Sequence, residues 1–258
     1  MDVRLPNPVG IGGKFVFGVG LLVRGFWIYA RSPRLVVLGL VPALITGILF
    51  IVGLVVLGWN ATDLADVMTP FADDWTSWAR SALRVAVAVA LVGAGALLGV
   101  LTFTAVTLAL GDPFYEKISE WVEEQYGGVP DSVEVSWWRS LGQSAADSAR
   151  LIGTSAGIAL PLLFVGFIPV VGQIVATVLG ALVGGWMLAV ELTGAAFSRR
   201  GQRLEERRQA LRAIRPVTLG FGVAVFVAFL VPLGAVLFMP AAVAGATLLA
   251  RHALGQLD

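Results

Sequence analysis

The chain has no cysteine, a single histidine, and charge on only 14% of its 258 residues. Without cysteine there are no disulfides, thiolate metal sites or cysteine nucleophiles. One histidine, His252, cannot build a histidine metal cluster and reads as a residue at a membrane interface. A soluble domain carries about 25% charged residues, so this chain is not made mainly for contact with water. The net charge of +1 gives no reason to expect nucleic-acid binding. No Gly-x-x-x-x-Gly-Lys-Ser/Thr phosphate loop occurs, so nucleotide hydrolysis within the chain is not expected. No nucleophile–base pair or metal-ligand cluster can be assembled either, so neither an enzyme nor a cofactor is expected.

What the chain does have is apolar length: 57% hydrophobic residues and a mean hydropathy of +0.86. A crossing helix needs roughly 20 apolar residues to span the hydrocarbon core. Four uncharged stretches stand out. Leu35 to Thr62 and Val85 to Leu110 each suffice for one transmembrane helix. The third, Leu151 to Val190, is broken at 167–173 by Phe167-Ile168-Pro169-Val170-Val171-Gly172-Gln173, and reads as a helical hairpin within 136–215. Pro216 to Ala250 is interrupted at Pro232 and again at Pro240. Setting Pro232 to Pro240 aside as a tip leaves arms of sixteen and ten residues. Both are too short to cross, which predicts a re-entrant hairpin over 216–252.

Two amphipathic segments flank these stretches. Phe15, Val19, Leu22, Val23 and Phe26 share a face at 100° per residue, opposite Arg24 and Arg31, which predicts an interfacial helix over 15–31. Arg24 interrupts the apolar run and no small-residue cleavage site follows, so a cleaved signal is not expected. In Gly111-Asp112-Pro113-Phe114, Asp suits a helix N-cap and Pro the first helical position. This predicts an amphipathic helix over 112–126, with Phe114, Ile118, Trp121 and Val122 as its apolar stripe and Glu116, Glu120, Glu123 and Glu124 elsewhere. The fold expected is therefore an all-α integral membrane protein, one membrane domain over 1–258.

Charge suggests the orientation. With two full crossings only 59–84 lies on the far side, and it holds two basic residues, Arg80 and Arg84, against sixteen on the near side. Both termini are expected in the cytoplasm, with the protein in an inner membrane. Near-side residues 111–150 carry eight acids and three bases, whereas 196–216 carry seven bases and two acids. The basic segment Ser198 to Arg215 is expected to continue the hairpin arm into the cytoplasm, where it can pair with the acidic segment or attract anionic lipid headgroups. Glu191, at the end of the forty-residue run, is a functional candidate or a helix exit paired with Arg199 or Arg200. Gln173 can line a polar path or satisfy carbonyls freed by Pro169.

Several motifs, in order, resemble one known family. They are Asp112-Pro113-Phe114-Tyr115 through Glu120 and Glu123, the 167–173 tip, Trp186-Met187-Leu188-Ala189, and Met239-Pro240-Ala241-Ala242-Val243-Ala244-Gly245-Ala246-Thr247. From about Pro33 to Arg251 the chain resembles the CysZ sulfate permease family, related to the etoposide-induced-protein 2.4 domain family. The resemblance implies two full transmembrane helices and two half-penetrating hairpins in a homo-oligomer, taking up sulfate for cysteine synthesis. It also implies that Glu120 and Glu123 pair with arginines in a central network. The family's sulfate site resembles a Gly-Leu-Arg motif opening the first crossing helix. Here that stretch reads Ser32-Pro33-Arg34-Leu35-Val36-Val37. The glycine is lost, Arg34 is shifted by about two positions, and Pro33 removes a donor. Ser32, Arg34 and Leu35 are the candidate anion site by the logic of helix N-termini and arginine forks; a snorkelling Arg34 is the alternative. The function expected is a permease for sulfate or a related oxyanion. The other reading is a scaffold whose half-penetrating hairpins assemble or shape membrane.

Overall fold

The computed structural model describes residues 10–129, 171–231 and 233–257, together with Gly153 and Gly157. Among the described residues the secondary structure is helical. The elements are α1 (Gly10–Arg31), α2 (Pro33–Met68), a 3-10 turn (Pro70–Ala72), α3 (Ser77–Gln125), α4 (Val171–Leu192), α5 (Gly194–Ser198), α6 (Leu204–Ala213), α7 (Arg215–Leu230) and α8 (Gly234–Ala253). Five of them, α1, α2, α3, α4 and α8, are long and apolar enough to cross a membrane. Most of the 167–173 tip, including Pro169, lies outside the described residues, as does Pro232. Gly172 and Gln173 lie in the first turn of α4, Gly172 buried and Gln173 exposed.

The chain divides into two compact units. Residues 40–112 form one, a long antiparallel pair made by parts of α2 and α3. Ala61 and Ala65 pack on Ala88, and Phe50 meets Phe103 at 6.0 Å. Its far end is clamped by Arg84, whose guanidinium reaches Asp66 at 2.9 Å and Asp73 at 2.8 Å. Large apolar side chains cover its outside, among them Ile48, Ile51, Val89, Leu98 and Val100. An outward apolar surface of this size has lipid as its natural solvent.

The other unit holds the remaining residues, and backbone contact at glycines sets its packing. A Cβ on Gly220 would lie 2.0 Å from the Phe15 carbonyl oxygen, and one on Gly222 would lie 2.0 Å from that of Gly185. Small residues let helices approach this closely where no water drives association. In this way α1 and α4 press on α7, and Gly25 of α1 meets Ala241 and Gly245 of α8. The packed face of α1 is thus Gly18, Leu21 and Gly25, and much of the predicted apolar face, including Val23 and Phe26, points outward. Helix α8 is buried continuously from Pro240 to Arg251.

Three boundaries differ from expectation, each for a local reason. Helix α3 does not restart at Asp112; it runs on with Pro113 inside, losing only the bond that residue would have donated. Pro240 is not a hairpin tip. It sits within α8, its ring beside Gly39, where a Cβ would come within 2.6 Å of Pro240 Cγ. The second arm therefore has 20 residues rather than ten, and the turn narrows to the stretch at Val231 and Leu233, whose φ is 59°. The basic segment does not continue α4 as one helix. Thr193 donates back to Ala189 and Val190 carbonyls, a bond that bends helices, and Gly201 at φ 68° turns the chain again. After α6 a 105° bend leads into the 16-residue α7.

Candidate functional site: a buried arginine–glutamate seam at three helix ends

Three helical segments stop close together, each with the same chemistry. After α3, Gly127 N–H donates to Glu124 O and Gly128 N–H to Glu123 O. After α5, Gly201 donates to Ser198 O and Gln202 to Phe197 O; after α8, Gly255 donates to His252 O and Gln256 to Arg251 O. Gly127, Gly201 and Gly255 all have positive φ, so these are Schellman turns. Helix C-termini expose carbonyls and carry partial negative charge, which arginines satisfy. Arg251 donates to the Tyr126 and Gly128 carbonyls, and Arg200 to that of Ala196 at 2.7 Å.

Glu123 joins the three ends. It is only 2% exposed, and its Oε1 accepts from Arg200 Nη1 at 2.6 Å. Its Oε2 accepts from Arg200 Nη2 at 3.0 Å and from Arg251 Nη1 at 2.7 Å. Charge-assisted bonds from two guanidiniums offset the cost of burying this carboxylate. Arg200 uses all five donors: its remaining Nη2 proton and Nε–H go to Gln256 Oε1 at 2.7 and 3.1 Å.

One helical turn away lies a second polar layer. Ser119 and Thr247 are buried with their hydroxyls 2.8 Å apart, and Thr247 donates onward to Val243 O at 2.9 Å. Ser119 therefore donates to Thr247, which leaves its lone pairs to accept from Arg199. Burial lowers the pKa of Arg199, opposed by Glu123, Glu116 and Glu120; a guanidinium stays protonated throughout the working range. Arg200 and Arg251 thus bind one buried carboxylate, and the half-buried Arg199 stands beside them within the field of Glu123 and of the exposed Glu116 and Glu120. Nε of Arg199 and of Arg251 are buried without a hydrogen-bond partner among the described residues. Such an arrangement can hold an anion.

Of the residues singled out from the sequence, the structure brings together Glu123, Arg199 and Arg200. Glu120 is exposed on α3 and acts on Arg199 through space. Glu191 is exposed near the end of α4. His252 rests against Phe17 at 5.0 Å between ring centres. Arg34 is exposed in the first turn of α2, while Leu35 is fully buried. The Ser32 carbonyl accepts from Leu35 and Val36, so among the described residues the Arg34 N–H is the donor left open there. Sequence reading overlooked Ser119, Thr247 and Gln256, and saw Arg251 only as one more charge. Serines and threonines in apolar helices, a glycine closing each helix and an arginine within the last turn of α8 were the available signals.

A family model described as "Sulfate transporter CysZ/Etoposide-induced protein 2.4" matches residues 21–240. A sulfate transporter CysZ of Pseudomonas syringae pv. tomato is 34% identical over 221 residues, covering 84% of this chain and 85% of the relative. A second, from Pseudomonas fluorescens, is also 34% identical over 221 residues, with 84% and 86% covered. A third, from Pseudomonas paraeruginosa, reaches 37% over 150 residues, 57% of this chain and 61% of the relative. The fold, the apolar helices and these matches agree, and the chain belongs to the CysZ/etoposide-induced protein 2.4 family.

Proposed function

We propose that this protein moves sulfate, or an oxyanion like it, across a bacterial inner membrane without chemistry of its own. The observation that carries this reading is a cluster of guanidiniums: Arg200 and Arg251 buried on Glu123, and the half-buried Arg199 beside them, with Nε of Arg199 and of Arg251 left without a hydrogen-bond partner among the described residues. A dianion leaving water needs donors to replace its hydration, and arginines in a low-dielectric site supply them at fixed geometry. Release matters as much as capture. Glu123 occupies part of the donor set, so it weakens the hold on a passing anion and keeps the site from becoming a trap. The matched relatives are named sulfate transporters, which supports sulfate as the substrate.

Arg34, exposed beside the open N–H at the start of α2, is the proposed first contact, with Ser32 and Leu35 shaping that turn. The test is sulfate binding to purified protein, read as thermal stabilisation with chloride as the control. Sulfate should stabilise the wild type. Arg34→Ala should weaken binding several-fold or more, because a charge-assisted bond is worth about 1.5–3 kcal/mol. Arg31→Ala should do much less, since Arg31 lies over the Trp27 ring at 5.0 Å. Unchanged binding in Arg34→Ala moves the first contact to the Arg199 and Arg200 region.

A further inference from the structure

The Gln256 side chain makes a contact beyond the turn that its backbone closes. It follows the left-handed Gly255, and its N–H already closes the turn on Arg251 O at 2.8 Å. Its side chain then reaches Arg200, where one amide oxygen accepts from both Nε and Nη2. That pair of parallel donors is a fork edge suited to carboxylates and other oxyanions. The other edge of the same guanidinium is held by Glu123. A neutral amide oxygen therefore sits where an oxyanion oxygen would sit, on an arginine whose side chain is only 7% exposed.

We propose that Gln256 is an internal stand-in for the transported anion, a latch that holds the Arg200 fork when no substrate is present and yields it to the arriving oxyanion. This rests on the oxyanion reading above. The amide is suited to the task because it satisfies both donors, so the empty site carries no unpaired buried charge. It is also neutral, so it meets the guanidinium with a dipole where an oxyanion would bring a full opposite charge. Exchange is therefore favourable for a dianion and unfavourable for water. The turn that presents Gln256 lies at the end of α8, where few bonds need to break for it to swing aside.

The experiment compares full-length wild type, Gln256→Ala and Gln256→Glu for sulfate affinity by isothermal titration. Melting in sulfate-free buffer checks folding. Removing the competitor should tighten sulfate binding about three- to tenfold in Gln256→Ala. In Gln256→Glu a carboxylate takes the fork, and binding should weaken by at least as much while the sulfate-free protein melts higher. Equal affinity in wild type and Gln256→Ala overturns the latch but leaves the transport reading standing. Weaker binding in a folded Gln256→Ala also overturns it, making Gln256 a supporting residue. Sulfate binding by Gln256→Ala alone supports the latch in its strongest form. If no form of the protein binds sulfate, the oxyanion reading and the latch both fall.

Discussion

Glu123 is the residue on which the seam depends. Its carboxylate is the charge partner of both Arg200 and Arg251, and all three side chains are more than nine-tenths buried. Glu123→Ala would leave two buried guanidiniums facing each other, and breaking such a pair costs about 3–5 kcal/mol. A melting curve in detergent should show that loss. Glu123→Gln keeps one acceptor and should lose less. Ser119→Ala should cost about 1.5–3 kcal/mol, less than Glu123→Ala, because the hydroxyl it removes accepts a charge-assisted bond from Arg199. Glu123 stood out through the family resemblance, which implied arginine partners without naming them, and Arg199 and Arg200 stood out as partners for Glu191. The pairing partners actually found lie far away in sequence. Arg251 is 128 positions from Glu123, and Thr247 is 128 from Ser119. Their pairing comes from tertiary contact between α3 and α8, which no local period encodes.

At the level of helices, prolines did the opposite of what their local propensity suggests. Pro113 and Pro240 were read as a start and a tip, yet both lie inside helices. A proline costs one backbone bond and needs room for its ring. Beside Pro240 that room is Gly39, which is adjacent only in the folded chain. The glycines that matter most permit close approach or left-handed turns. Gly222→Leu must drive apart α4 and α7, whose backbones meet at Gly185, and overpacking of this kind costs about 1–3 kcal/mol or more. Gly255→Ala should cost roughly 1–2 kcal/mol for a left-handed residue and should also displace Gln256. Arg84→Ala should cost less than about 1 kcal/mol, because Asp66 and Asp73 are more than half exposed. Urea titration of the three variants should give that order, with Arg84→Ala mildest.

For the whole molecule, the apolar stretches predicted from composition became long helices: 35–62 lies within α2 and 85–110 within α3. These were legible because lipid imposes a minimum apolar length that a short calculation can test. The second arm of the last hairpin was misjudged because its length depended on Pro240. The expected orientation rests on the sixteen-to-two distribution of basic residues that two full crossings would give. The cysteine-free chain makes it directly measurable. In intact cells an impermeant maleimide should label Asp74→Cys and spare Gln209→Cys, both exposed positions. The reverse pattern would invert the topology, and equal labelling would mean dual insertion. Above orientation stands the claim that a buried arginine seam lets this chain pass a sulfate ion. The most direct test is uptake of radiolabelled sulfate into liposomes containing only this protein, wild type beside Arg199→Gln. Saturable wild-type uptake that falls at least several-fold in a normally inserted Arg199→Gln is the result predicted. Wild-type vesicles no more permeable to sulfate than empty ones, or uptake indifferent to Arg199, would contradict it.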